Sequence, residues 1–252
     1  MIDHNDVGVH LLKPDERVDD LSRCGLKIIQ HAKSFRFAVD AVLLSEFAKI
    51  NTKMQVLDMG CGTGVISLLV YARYKPKKII GLELAKDMVE MAQRSIELNS
   101  LDEFIQIVEG DIKCASEMFG HDRFDAVITN PPYIKQTAGT PSLHENVAMA
   151  RHEICCTLKD VIANASLLLK SKGKFYMVHR PGRLCEIMSL MNMFNLSPSR
   201  LRLVQSKFNK SAVLVLIEAI KGVKCELEAF PNLVIYNEDG NFSDEMKKIY
   251  FD

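Results

Sequence analysis

Apolar residues in this chain fall into short runs of five or six, separated by longer stretches in which they recur at helical intervals. The runs near 54–58, 78–83, 104–109, 123–129, 173–179, 200–206 and 212–220 read as strands. Helical segments such as Val65-Ile66-Ser67-Leu68-Leu69-Val70-Tyr71 alternate with them, which is the signature of a doubly wound α/β sheet. The last two strands depart from the alternation, because only Lys207-Phe208-Asn209-Lys210-Ser211 lies between them. Five residues are too few for a right-handed parallel crossover, so these strands are expected as an antiparallel hairpin. Residues 1–50 read as a small N-terminal appendage with an acidic start (Asp3, Asp6, Asp15, Glu16, Asp19, Asp20). Residues 51–222 carry the sheet, and 223–252 form a C-terminal extension with a strand at Leu233-Val234-Ile235-Tyr236 and a short helix near Asp244-Glu245-Met246. The whole is expected as one compact domain.

Open α/β sheets bind ligands beyond the carboxyl ends of their strands, and several chemically able residues fall there. Gln55-Val56-Leu57-Asp58 runs into the turn Met59-Gly60-Cys61-Gly62-Thr63-Gly64 and then a helix. Glycines permit positive φ and close backbone approach, and a helix start offers N–H donors. The spacing is GxGxG where a dinucleotide site prefers GxGxxG, and a Walker lysine is absent, so the turn alone does not name a ligand. Glu83 ends the next strand, where a carboxylate can accept both hydroxyls of a ribose. The third strand, Phe104-Ile105-Gln106-Ile107-Val108, ends at Glu109-Gly110-Asp111-Ile112, which places Asp111 to accept from an adenine amino group.

Asn130-Pro131-Pro132-Tyr133 follows the fourth strand, Phe124-Asp125-Ala126-Val127-Ile128-Thr129. Two prolines fix φ and remove two N–H donors, leaving the Asn130 side-chain oxygen and the Pro131 carbonyl as acceptors on a rigid turn. Such a turn suits a planar amino group, and Tyr133 adds an aromatic face on which a flat amide or base can stack.

With these motifs the chain resembles the class I S-adenosylmethionine-dependent methyltransferases of the NPPY type, which methylate planar nitrogens. The resemblance covers about residues 20 to 220 and is strongest to the bacterial tRNA1(Val) adenine-37 N6-methyltransferase group. Local echoes carry that narrower match: Phe35-Arg36-Phe37-Ala38-Val39-Asp40-Ala41-Val42-Leu43-Leu44, Ala150-Arg151-His152-Glu153, and Val178-His179-Arg180-Pro181-Gly182-Arg183-Leu184. It implies a Rossmann-like seven-stranded sheet with a terminal antiparallel hairpin. It also implies that Asp58, Gly60, Gly62 and Gly64 hold the methionine end of S-adenosylmethionine, Glu83 the ribose, and Asp111 with Ile112 the adenine. Phe37 and Asp40 would close the methionine side; Cys61, Thr63, Leu84 and Asn130 complete the expected cofactor set. The product of the cofactor would be S-adenosyl-L-homocysteine.

An adenine N6 lone pair is delocalised into the ring and is a poor nucleophile. Asn130 and the Pro131 carbonyl would accept its two hydrogens, aim the remaining lobe along the methyl–sulfur bond and stabilise the charge that develops on nitrogen. A target beside the anticodon is easier to extrude than one in a duplex. Other substrates share this geometry. Release-factor glutamine is a planar nitrogen too, although fewer than about 55 residues before the glycine turn leave little room for a long protein-binding domain. Ribosomal guanine N2 and DNA adenine N6 enzymes use the same tetrapeptide, and a catalytically idle nucleotide-binding domain would keep the fold.

Composition narrows the setting. The chain has 252 residues and 48% hydrophobic content, enough for one large core. Its start lacks a signal pattern and no run approaches a membrane span, so a cytoplasmic protein with no membrane partner is expected. Seven cysteines without a CxxC pair argue against a disulfide framework and against a zinc site, and no metal is expected; Cys61 could alternatively be a reactive thiol. Formal net charge is zero, yet between Val161 and Ile217 the only acid is Glu186, against Lys170, Lys172, Lys174, Arg180, Arg183, Arg200, Arg202, Lys207 and Lys210. Arg151, His152, Arg180, Arg183, Lys207 and Lys210 are the candidates for contacting RNA, the alternative being a solvated basic face. A monomer is favoured.

Overall fold

The computed structural model describes residues 11–21, 25–32, 39–132 and 156–251. Strands β1 (Glu16–Asp20) and β2 (Lys27–His31) form a separate antiparallel hairpin, followed by helix α1 (Val39–Phe47). The main sheet contains β3 (Gln55–Met59), β4 (Lys78–Glu83), β5 (Ile105–Glu109), β6 (Phe124–Thr129), β7 (Leu169–His179), β8 (Leu196–Lys207), β9 (Ala212–Lys221) and β10 (Glu228–Tyr236). Their order is β10-β8-β9-β7-β6-β3-β4-β5. Helices α2 (Val65–Tyr74), α3 (Lys86–Leu98), α4 (Ala115–Phe119), α5 (Leu158–Leu168), α6 (Leu184–Met193) and α7 (Asp244–Phe251) cover its two faces. Among the described residues no helix is long and apolar enough to cross a membrane.

Strands β3, β4 and β6 are buried along nearly their whole length, as parallel strands covered on both faces must be, and this explains their unbroken apolar runs. The edge strand β5 alternates buried and accessible positions instead. Strand β9 is antiparallel to both β7 and β8, so the hairpin expected from the five-residue connection is present. All seven expected strands stand in the sheet. An eighth, β10, pairs parallel to β8 and extends the expected tail strand toward its N-terminus. Its first half is accessible and interrupted by Pro231 at a register shift, which an edge strand tolerates.

Two apolar layers hold the sheet. One joins α1, α2, α3 and α7 to one face through residues such as Leu43, Leu68, Ile96 and Met246; the other joins α5 and α6 through Ile162, Ala165 and Ile187. The N-terminal hairpin is fastened to α3. Ile29 N–H donates to Ser95 Oγ at 3.0 Å, Lys27 N–H to Asn99 Oδ1 at 2.9 Å, and Arg94 grips the Glu16 carboxylate at 2.5 and 2.7 Å.

Because β7 and β8 are both antiparallel to β9, they run in the same direction. The carboxyl ends of β3 to β8 and of β10 therefore share one edge of the sheet, and the amino end of β9 lies there with them.

Candidate active site

The glycine turn after β3 adopts left-handed backbone at three positions, with φ of 75° at Gly60, 55° at Gly62 and 83° at Gly64. An L side chain is strained in that region, so the three glycines are a requirement of the turn. Backbone bonds then clamp it to β4: Leu82 O accepts from Gly60 N–H at 2.8 Å and from Cys61 N–H at 3.0 Å. Gly64 ends the turn as the residue before α2.

Glu83 is the other half of the clamp. Its Oε2 accepts the Gly62 N–H at 2.9 Å, and its Oε1 accepts the Leu84 and Ala85 N–H groups, each at 2.9 Å. The carboxylate is only 4% exposed, yet it lines a cleft of about 310 Å³ at the carboxyl edge. That volume is at the small end of the range for ligand pockets.

Asp40, Gly60, Gly62, Ile112, Asn130, Pro131 and Pro132 line the same cleft. The sequence-derived cofactor set thus converges on one place for Asp40, Gly60, Gly62, Glu83, Ile112 and Asn130. Asn130 and Pro132 are partly exposed and Pro131 is buried, while Thr129 Oγ donates to Met59 O at 2.8 Å and ties the end of β6 to the end of β3. The rigid turn therefore stands beside the glycine turn.

Other expected cofactor residues lie outside the cleft lining. Asp58 is fully buried; Ser67 Oγ donates to its Oδ2 at 2.7 Å, and its Oδ1 has no hydrogen-bond partner among the described residues. Burial, reinforced by the Glu83 charge and opposed by Ser67, pushes its carboxyl up to about 7. Cys61 points its sulfur into the core against Gly81, and burial pushes the thiol well above its ordinary value. This disfavours the reactive-thiol alternative. Asp111 caps the short turn 112–114 by accepting the Lys113 N–H at 2.9 Å, and neither it nor Thr63, Gly64 or Leu84 lines the cleft. Phe37, Tyr133, Arg151 and His152 lie outside the described residues.

Of the RNA candidates, Arg183 lines the cleft, with its guanidinium held by Glu186 at 2.9 and 2.7 Å. His179 Nδ1 accepts the Arg180 N–H at 2.8 Å, fixing the start of the loop that carries both arginines. Arg180, Lys207 and Lys210 are exposed.

One wall was not anticipated. Cys156, Thr157, Leu158 and Val161, at the start of α5, also line the cleft. Thr157 and Asp160 form a reciprocal capping box there, with Asp160 Oδ2 accepting the Thr157 N–H at 2.8 Å. The signal was available in the sequence as Thr157-Leu158-Lys159-Asp160 before an apolar run.

A glycine turn clamped by an acid at the end of the next strand, sharing one cleft with an Asn-Pro-Pro turn, defines an S-adenosylmethionine-dependent methyltransferase of the Rossmann-like class. The chain belongs to the methyltransferase small domain family, whose model matches residues 38–197. It is similar to the tRNA1(Val) (adenine(37)-N6)-methyltransferase of Porphyromonas gingivalis, with 28% identity over 231 residues, 88% of this chain and 89% of that one. The fold is shared with a predicted O-methyltransferase of Agrobacterium tumefaciens (23% identity, TM-score 0.68, 84% and 95% of the two chains covered). It is also shared with a geranyl diphosphate C-methyltransferase of Streptomyces coelicolor in complex with S-adenosyl-L-homocysteine (13% identity, TM-score 0.51, 72% and 74% covered).

The donor set fits such a cofactor. The Glu83 carboxylate and the fully buried Asp58 Oδ1, unpartnered among the described residues, leave acceptor capacity at the turn, which suits a ligand bearing an ammonium group and ribose hydroxyls.

Proposed function

We propose that the protein methylates N6 of an adenine in RNA, adenine 37 of a tRNA anticodon loop, with S-adenosylmethionine as methyl donor. The observation that carries this reading is that Asn130, Pro131 and Pro132 share one cleft with Glu83 and the glycine turn. The printed activity of the Porphyromonas gingivalis relative supports the choice of substrate.

When bound, the cofactor supplies an electrophilic methyl group on sulfur. The chain's own residues do the rest. Gly60 and Gly62 let the backbone approach the methionine portion closely, while Glu83, held by three N–H groups, presents a fixed acceptor edge to the ribose. Asp40 bounds the methionine side and Ile112 the adenine side. Asn130 Oδ1 and the Pro131 carbonyl accept the two N6 hydrogens and orient the nitrogen lone pair toward the methyl carbon. During methyl transfer these two acceptors would stabilise the positive charge that develops on the substrate nitrogen, which would then lose one proton to water. Pro132 fixes the turn, and Tyr133 is assigned to stacking on the base. Arg151, His152, Arg180, Arg183, Lys207 and Lys210 are assigned to the RNA.

The reading treats residues 51–222 as the catalytic unit and the protein as a cytoplasmic monomer. Its test is methyl transfer from labelled S-adenosylmethionine to separate pools of tRNA, ribosomal RNA, duplex DNA and release factor. Label recovered as N6-methyladenosine from tRNA supports it; label in glutamine, in guanine or in DNA replaces it.

A further inference from the structure

The β8–β9 hairpin reaches past its neighbours. The last pair between β7 and β9 is His179 with Val215, but β9 begins at Ala212 and β8 runs to Lys207. At about 3.4 Å per residue, the hairpin stands about 10 Å above the end of β7. Three strand positions separate β8 from β6, so the tip is displaced about 14 Å sideways from the Asn130 turn. That is within reach of a few nucleotides of a loop whose target base enters the cleft.

The tip is a braced turn. Lys210 N–H donates to Lys207 O at 3.2 Å, Asn209 takes φ of 60°, and Gln205 Nε2 donates to Lys210 O at 2.6 Å. This geometry explains asparagine at 209, which tolerates left-handed backbone, and makes no demand on the side chain at 208. That position nevertheless holds Phe208, 69% exposed and the most exposed large apolar side chain among the described residues. Lys207 and Lys210 flank it, both exposed and neither in an ion pair among the described residues.

The charge pattern leads from the tip to the cleft. Arg180, just after β7, donates to Val213 O at 3.4 Å in the projecting part of the hairpin, and Arg183 lines the cleft itself. The exposed acids Glu238 and Asp239 follow β10, on the side of β8 away from the cleft, and bound the path there.

We propose that this tip is an RNA-docking element in which Phe208 stacks on an unpaired base next to the methylated one, while Lys207 and Lys210 hold the flanking phosphates. The proposal rests on the RNA reading above. A single aromatic between two cations on a rigid platform is the arrangement that grips single-stranded nucleic acid without reading its sequence.

The test uses full-length protein, a tRNA pool and labelled S-adenosylmethionine. Phe208→Ala is expected to raise the KM for tRNA about tenfold, from the usual worth of one stacked base. Its kcat, its KM for S-adenosylmethionine and its melting temperature should match the wild type, since the side chain is exposed and remote from the cleft. The chain contains no tryptophan, so the Phe208→Trp variant carries a single fluorescent reporter. It should keep near-wild-type activity and be quenched by saturating tRNA. Lys207→Ala with Lys210→Ala should lower the salt dependence of tRNA binding by about two counterions. A Phe208→Ala variant with tRNA KM within twofold of wild type, or a Phe208→Trp variant whose emission ignores tRNA, overturns the inference while leaving the methyltransferase reading intact. A wild-type protein that transfers no label to tRNA overturns both.

Discussion

Glu83 Oε2 accepts the Gly62 N–H at 2.9 Å, so the acid assigned to the ribose also holds the glycine turn in shape. The other oxygen accepts two further N–H groups from its own following turn. Replacing this carboxylate therefore damages structure and binding together. Glu83→Ala leaves three partly buried donors without that acceptor and should cost about 1–3 kcal/mol of stability. It should also weaken S-adenosylmethionine binding by at least about thirtyfold. Glu83→Gln keeps the shape but turns an N–H₂ group against a backbone donor, and should fall between the two. Thermal unfolding with calorimetric titration of the cofactor measures both effects.

Asp58 gives the cofactor-free protein a pH dependence of defined sign. Its folded-state carboxyl, pushed up to about 7 by burial, binds a proton that the unfolded chain has already released above its ordinary value near 3.8. The folded state thus binds more protons between those values, and this group's contribution makes stability fall as pH rises from about 4 to 7. Asp58→Asn removes the titration. The stability difference between the variant and the wild type should grow in the variant's favour across that window, measured by denaturant unfolding at pH 5 and pH 8 without cofactor. A cationic ligand favours the ionised carboxylate, so cofactor binding near pH 6 should release protons in the wild type and fewer in the variant. Titration in buffers of different ionisation enthalpy reads that release.

Gly81 is small because Cys61 lies against it. A Cβ built at Gly81 would meet Cys61 Sγ at 2.9 Å and Ile107 Cδ1 at 2.7 Å. Gly81→Ala should destabilise by about 1–3 kcal/mol, as overpacking does. Cys61→Ala removes the sulfur and should recover part of that loss in the double variant. A double-mutant cycle in urea measures the coupling; additive losses would mean that the Ile107 contact alone accounts for the strain.

The N-terminal hairpin should loosen in acid before the sheet does. Arg94, together with the Lys13 N–H, holds the Glu16 carboxyl down to about 2. A depressed carboxylate contributes stability above its unfolded value near 4.5, and that contribution is lost as pH falls toward 2. Arg94→Ala strands the mostly buried Glu16 and should cost about 2 kcal/mol at neutral pH. Hydrogen exchange at Val18, Ile28 and Ile29 should rise in the variant, with little change in β3 or β6.

The strands were legible in the sequence where burial is two-sided. β3, β4 and β6 announce themselves as apolar runs because helices cover both faces. β7 begins four residues before its expected start, since Lys170, Ser171 and Lys172 at the open end are polar and Lys172 takes φ of 62°. The first half of β10 reads as a loop because its residues are accessible and Pro231 interrupts them. The N-terminal hairpin was read only as an acidic appendage, because its stability comes from α3 rather than from its own pattern. At the site, spacing placed Asp58 and Asp111 at the right sheet edge. It could not show that Asp58 turns inward to Ser67 or that Asp111 caps its own turn, since those directions depend on neighbours distant in sequence. Thr157 and Leu158 reach the cleft only through the packing of α5 beside β6, which no local pattern encodes.

Single-turnover transfer to tRNA by Asn130→Ala, with the cofactor dissociation constant determined on the same preparation, tests the acceptor role of the Asn-Pro-Pro turn directly. The expected result is a rate lowered by about 10²–10³ with cofactor affinity within threefold of wild type, because the lost interaction forms with the substrate amine and strengthens in the transition state. A variant that turns over at the wild-type rate, or one that loses rate only in proportion to lost cofactor binding, would contradict the role assigned to Asn130.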